Sequence, residues 1–397
     1  MRRPLGNSRL AGMGTTIFAE MSALAVATGS VNLGQGFPDV DGPAPVARAA
    51  ADAILAGQGN QYPPGPGVPE LRQAIVDHQR RFYGLSFDPA TDVLVTAGAT
   101  EAVAAALLAL VEPGDEVIAF EPYYDSYAAC IALAGGVRVP VTLRAPDFRP
   151  DLDALRAAVT SRTRLILLNS PHNPTGSVFS RDELTQIAEL ACERDLLVIS
   201  DEVYEHMVFE GEHIPVGSLP GMRERTVSIS SAGKTFSFTG WKIGWVTGSA
   251  ELVTAVRGVK QFLTFVSGGP FQYAIAAALA MPGDYYAAIS TGLAGKRDLL
   301  CAGLAEAGFE VYRPAGTYFV TTDIRGLGET DGVAFCRELP HRAGVVAIPS
   351  AVFYDHPDAG RTQVRFAFCK RTEVLTEALA RLGKLTPQPG PAAADRG

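Results

Sequence analysis

The chain has 397 residues, 47% hydrophobic and 19% charged, which is enough apolar material for a large core and excludes an intrinsically disordered protein. A formal charge of −8 without a long basic run argues against a surface for nucleic acid or anionic membrane. No apolar stretch reaches the ~20 residues of a membrane span, and five scattered cysteines without a CxxC pair read as reduced, mostly buried thiols of a cytoplasmic protein.

The N-terminal "MRRPLGNSRLAGMG" carries charge but lacks the apolar core of a secretory signal. "VNLGQGFPDV" and "NQYPPGPG" are dense in turn formers and are not read as core strands. From about residue 90, short apolar runs alternate with helical patterns. "DVLVT" (92–96) precedes the Ala-rich "EAVAAALLALV", and "DEVIAF" (115–120), "RLILLN" (164–169), "LLVIS" (196–200) and "RTVSIS" (225–230) are further strands. Several are apolar throughout, as strands covered on both faces should be. "SRDELTQIAELACERD" (180–195) reads as a helix with a capping box, Ser180 at the N-cap and Glu183 three residues on. The alternation predicts an α/β sheet flanked by helices. After about residue 285 a helix, "FEVYRPAGTYFVTTDI" and "QVRFAFCK" suggest a smaller α+β domain, and the Pro/Ala/Gly-rich tail 386–397 reads as disordered.

The polar and aromatic clusters fall at the carboxyl ends of the strands: "GAT", "EPYYDSY", "NSPHNPTG", "DEVY" and "SAGK". Open α/β sheets bind ligands there. "TAGATEA" sets small residues before a helix N-terminus, where free amides can hold a phosphate or simply form a tight turn. Tyr123 and Tyr124 offer ring faces for stacking, or are core aromatics. Asp201 ends an apolar strand, either to pair with a cationic ring nitrogen or to cap a helix opening at "DEVYEHM". Tyr204, three residues on, shares its side if that turn is helical, and Asn173 and Tyr204 can both donate to a ring oxygen. Lys234 sits among Gly, Ser and aromatic residues rather than on a charged surface, as suits a lysine that forms a Schiff base once desolvated. Lys242, eight residues later, can supply a neighbouring charge or hold a phosphate. This set is what pyridoxal 5′-phosphate requires.

"NSPHNPTG", "SDEVYEHMVF", "SISSAGKTFSFTGWKIGW" and "VRFAFCK" resemble the class I/II aminotransferases of PLP fold type I, in the branch of kynurenine aminotransferases and actinobacterial N-succinyldiaminopimelate aminotransferases. The likeness spans about residues 15–380 and includes "VNLGQGFPD" and "NQYPPGPG". It implies a large domain with a mostly parallel sheet (45–284) and a small domain formed by the N-terminal arm (1–44) and residues 285–385. By position it makes Lys234 the Schiff-base lysine and proton shuttle, with Asp201 on the pyridine nitrogen, Asn173 and Tyr204 on the phenolic oxygen and Tyr124 stacked on the ring. Ala99, Thr100, Ser231 and Lys242 would hold the phosphate, joined by Tyr62 from the other subunit of a homodimer with shared sites. Arg365 would grip the substrate α-carboxylate with Asn169 or Asn173 and the Gly36 amide; read alone, it is a strand arginine paired with a core carboxylate. Ser170–Pro171 and Asn173–Pro174 are candidate cis bonds.

Phe18 stands where kynurenine-type members tend to carry tryptophan. Ser267, Gly268 and Gly269 occupy places where bulkier residues usually line the pocket, and no second arginine matches the side-chain clamp of aspartate aminotransferases. These departures predict a roomy pocket less tied to aspartate; the resemblance, strongest to the actinobacterial type, implies an amino acid and a 2-oxo acid as substrates, with N-succinyl-LL-2,6-diaminopimelate and 2-oxoglutarate preferred, as in lysine biosynthesis. Kynurenine, glutamine or methionine as donor is the alternative, with possible cysteine-conjugate β-lyase activity. A PLP-fold transcription regulator would need a DNA-binding domain before residue 15, and a purely structural α/β protein would not need Lys234, Asp201 and Arg365 together.

Overall fold

A computed structural model describes residues 6–11, 13 and 16–385, so the tail 386–397 lies outside the described residues. Its centre is a seven-stranded sheet of β1 (Val93–Thr96), β2 (Glu116–Glu121), β3 (Val137–Thr142), β4 (Thr163–Asn169), β5 (Leu197–Asp201), β6 (Thr226–Ser231) and β7 (Gly244–Thr247). The spatial order is β1-β7-β6-β5-β4-β2-β3. All neighbours run parallel except β7, which is antiparallel to both β1 and β6. Strands β1, β2 and β7 are buried along their whole length, which explains why their inner residues are apolar on both faces.

Five of these strands begin and end within one residue of the sequence expectation. Two were not anticipated. β3 carries Pro140, which an edge strand accommodates because one row of its amides needs no partner. β7 lies hidden in the lysine motif. The helix Arg181–Glu193 has the predicted capping box, with Ser180 and Glu183 bonded reciprocally. "DEVYEHM", by contrast, opens no helix: residues 203–206 form turns, and the Asp201 carboxylate accepts only from the Val203 amide there, at 3.3 Å.

Two apolar clusters cover the sheet faces, one under the helices Gly98–Leu110, Asp125–Ala134 and Ala250–Leu263, the other under Arg181–Glu193. A separate core joins Met21, Ala25 and Leu33 of the arm to Leu300, Phe335, Phe366 and Leu375 of the C-terminal part, and Val203, Tyr204 and Met207 reach into it. A four-stranded antiparallel sheet lies there, in which Gln363–Ala367 pairs with Phe319–Asp323 and Ile348–Pro349. The helix Gly283–Glu306 bridges the cores, with Tyr286 in one that includes Trp245 and Phe236 and Leu300 in the other.

Candidate active site

Strand register brings the clusters together. Asn169 lies opposite Asp201 at the carboxyl ends of β4 and β5. Because β7 runs the other way, its first residue, Gly244, pairs with both Thr96 and Ser231 at the carboxyl ends of β1 and β6. Lys242, two residues before Gly244, is thereby returned to the edge that Lys234 leaves. A chain reversal therefore accounts for two lysines eight residues apart in one place.

The result is a cavity of about 1070 Å³. Its walls carry Phe18, Gly36, Ala99, Thr100, Tyr124, Asn169, Asn173, Asp201, Tyr204, Ser231, Lys234, Lys242 and Arg365, every site residue predicted from the sequence except Tyr62. Helix Gly98–Leu110 opens at its rim. Gly98 takes φ +76°, and a Cβ there would stand 3.1 Å from Lys242 Nζ, so a side chain would fill the space between the helix amides and the amine.

Asp201 is buried at the end of β5. Burial raises its pKa, and the Tyr127 hydroxyl, which donates to it at 2.5 Å, and the Val203 amide oppose that rise. Lys234 Nζ donates to the Tyr318 hydroxyl at 3.0 Å and reaches the Gly36 carbonyl at 3.5 Å, while Tyr318 donates to the same carbonyl at 2.6 Å. Burial pulls its pKa down to about 8, aided by the charges of Arg365 and Lys242 against the pull of Cys369 and Asp201. The expected neighbouring cation is therefore two groups, and Lys242 is the lesser. Tyr127 and Tyr318 were not singled out from the sequence. Tyr127 stands three residues after Tyr124, on the same side of a helix start, a spacing that hints at it; nothing local marks Tyr318.

Arg365 is 1% exposed on the strand Gln363–Ala367. One nitrogen donates to Asn173 Oδ1 at 3.0 Å and another to the Gly34 carbonyl at 3.0 Å, while its Nε has no partner. Its guanidinium lies 4.0 Å over the Phe319 ring and 5.3 Å from that of Phe18. It forms no ion pair among the described residues, so the core-carboxylate alternative does not hold, and burial brings its pKa down to about 10. The chain Asp201 carbonyl–Asn169–Asn173–Arg365, with links of 2.8, 2.7 and 3.0 Å, fixes it relative to Asp201.

The profile of the family "Aminotransferase class I and II" matches residues 28–382. The chain belongs to the class I and II aminotransferases. A protein of Mycobacterium tuberculosis named probable N-succinyldiaminopimelate aminotransferase is 54% identical, over 96% of this chain and 99% of its own length. The methionine aminotransferase of Escherichia coli is 42% identical over 95% and 98%. A solved structure of N-succinyldiaminopimelate aminotransferase from M. tuberculosis superimposes with a TM-score of 0.94 at 54% identity, covering 96% of this chain and 100% of that one. The fold is accordingly that of the fold type I aminotransferases, and the chain is a transaminase.

Two expectations about this aminotransferase need correction or refinement. Ser267, Gly268 and Gly269 do not line the main cavity of their own chain; they border a second depression with Gly59–Pro63. The glycines there serve backbone packing. A Cβ on Gly268 would stand 2.7 Å from Ile243 Cδ1, and one on Gly269 only 2.1 Å from the Gly59 carbonyl oxygen. Their small size is therefore no measure of room for substrate. Tyr62 lies in that same depression, 82% exposed and edge-on to Phe265 at 5.6 Å. The cavity mouth also holds two guanidinium groups that the sequence did not single out, Arg138 and Arg337. Arg138 is bidentate with Asp355, and Arg337 pairs with Glu20 at 2.7 Å on an exposed surface.

Proposed function

We propose that the chain is a pyridoxal 5′-phosphate enzyme that transfers the amino group of N-succinyl-LL-2,6-diaminopimelate to 2-oxoglutarate. The 54% identity over nearly the whole length to the mycobacterial relative carries the substrate assignment. The residues fit the cofactor: a glycine-lined cradle at a helix N-terminus beside Lys242, a buried carboxylate for a ring nitrogen, and a lysine whose pKa of about 8 lets it gain and lose a proton near neutrality. When bound, the cofactor supplies an aldehyde carbon for the amino group and a ring that accepts electrons as the α-proton leaves.

The chain's own groups do the rest. Lys234 Nζ tethers the cofactor and then carries the proton from Cα, since an amine with a pKa of about 8 both takes and returns it. Asp201 would hold the ring nitrogen protonated, and the hydrogen bond from Tyr127 favours the ionised form of Asp201. Asn173 and Tyr204 would hold the phenolic oxygen of the cofactor, Tyr124 would stack on its ring, and Ala99, Thr100, Ser231 and Lys242 would hold the phosphate. Arg365, buried without a counter-charge, takes the α-carboxylate, and Phe18 closes that end. Arg337, whose partner Glu20 is solvent-exposed and weakly held, is available to a distal carboxylate at the mouth. The large domain (45–284) and a small one made of 1–44 and 285–385 form the two sides of the cleft. The enzyme works in the cytoplasm as a homodimer, in which Tyr62 completes the partner's phosphate site.

The test is kcat/KM for succinyl-diaminopimelate against methionine and kynurenine, each with 2-oxoglutarate. The succinylated donor is expected to lead; a tenfold advantage for either rival replaces this reading with the methionine or kynurenine one. Pyruvate release from a cysteine conjugate without an oxo acid measures the β-lyase side reaction.

A further inference from the structure

Outside the cavity, the segment that carries Tyr204 continues into a cluster that transamination does not use. Glu205 and His206 face His78 of the helix Pro69–Tyr83, with His78 and Glu205 only 3% and 5% exposed. His78 Nε2 lies 2.7 Å from His206 Nε2, and the ligand atoms of the three side chains all lie within 4.8 Å of one another. One Glu205 oxygen accepts from the Ser230 hydroxyl, but the other, Oε2, is buried without a partner, as is His78 Nδ1. The Tyr83 hydroxyl also faces that carboxylate. A bare carboxylate oxygen in such a place costs several kcal/mol by order of magnitude, unless a proton or a cation joins it.

A hydrogen bond between the imidazoles satisfies two nitrogens and leaves the carboxylate as it is. A cation would engage one atom of each of the three side chains, the bare carboxylate oxygen included. The rings of Phe82 and Tyr286, 4.8 and 4.4 Å from that of His206, enclose the cluster on its apolar side.

We propose that His78, Glu205 and His206 form a binding site for a divalent cation of the zinc class, with two imidazole nitrogens, one carboxylate oxygen and a fourth position for water. The two imidazole nitrogens are 2.7 Å apart and all three ligand atoms lie within 4.8 Å, against the ~3.4 Å edge of a tetrahedron with ~2.1 Å bonds, so the rings must rotate apart to close the shell. The ion would be structural. It would tie the helix Pro69–Tyr83, which follows the Tyr62 loop, to the turn after β5 and, through Ser230, to the end of β6 beside Ser231. Tyr204 and Ser231 would gain fixed positions without either touching the ion.

The test uses the full-length, cofactor-loaded enzyme, stripped with a chelator and titrated with Zn²⁺ by calorimetry and with Co²⁺ by visible absorption. One equivalent per chain is expected, with four-coordinate Co²⁺ bands and a rise in Tm. His78→Gln and Glu205→Gln should each weaken Zn²⁺ binding at least tenfold, while the exposed His341→Gln should not. Absence of saturable binding, or equal affinity in His78→Gln, overturns the proposal. Should the variants fail to fold, anomalous diffraction at the zinc edge from wild-type crystals decides: a peak among the three side chains supports the site, and zinc elsewhere or none overturns it.

Discussion

Lys234 gives the residue scale its clearest number. Its reaction with pyridoxal phosphate in the apoprotein should rise with pH around a midpoint of about 8, well below the ordinary 10.5, and Lys242→Ala should move that midpoint upward by removing a nearby positive charge. Stability follows the same group. The native state loses the proton first, so its contribution to stability rises from about pH 8 to 10.5, and below that window the buried ammonium only costs. Lys234→Ala should abolish transamination while the phosphate contacts retain weak cofactor binding; normal turnover in that variant, with loss in Lys242→Ala, would reverse the two assignments. Tyr127→Phe removes a hydrogen bond to a charged carboxylate, worth about 1.5–3 kcal/mol, which predicts a roughly ten- to hundredfold fall in kcat. Asp201 should then titrate higher, so the acid limb of the pH profile should move up; an unshifted limb would assign Tyr127 to packing alone.

At the scale of elements, legibility followed how local the cause was. The helix Arg181–Glu193 is written in its own residues, and Ser180→Ala should cost about 1 kcal/mol in denaturant unfolding with kcat unchanged. A matching drop in kcat would show that helix coupled to the site. Runs such as "RLILLN" and "LLVIS" were legible because burial on both faces demands apolar residues on both. β7 was not, since "GWVT" is short and its direction depends on the strands it lies between. The same limit hid Tyr127 and Tyr318. Their roles exist only once a helix start and the residue before the strand Phe319–Asp323 have been packed against β5 and Lys234. It also misled the reading of Gly268 and Gly269, whose size answers to the Gly59 backbone and Ile243 rather than to a substrate.

For the whole molecule, the exposed patch of Tyr62, Phe262, Leu263 and Phe265 is the surface that the proposed homodimer would cover. Mixing inactive Tyr62→Ala and Lys234→Ala chains should restore part of the activity in hybrid dimers. No recovery, with subunit exchange verified, would make each site self-sufficient. Arg365 has a consequence of another kind. A guanidinium set among Phe18, Phe319 and Phe353 on the cavity wall, with oxygen dipoles but no paired carboxylate, gains a charged partner when a carboxylate enters. Small carboxylates should then act as folding ligands in their own right. A non-reacting dicarboxylate at a hundred times its Kd should add about 2.7 kcal/mol to the stability of the native state. The gain should appear as a concentration-dependent rise in Tm that Arg365→Met largely abolishes. An enzyme so arranged reports the local supply of its own substrates through its resistance to unfolding, before any turnover occurs.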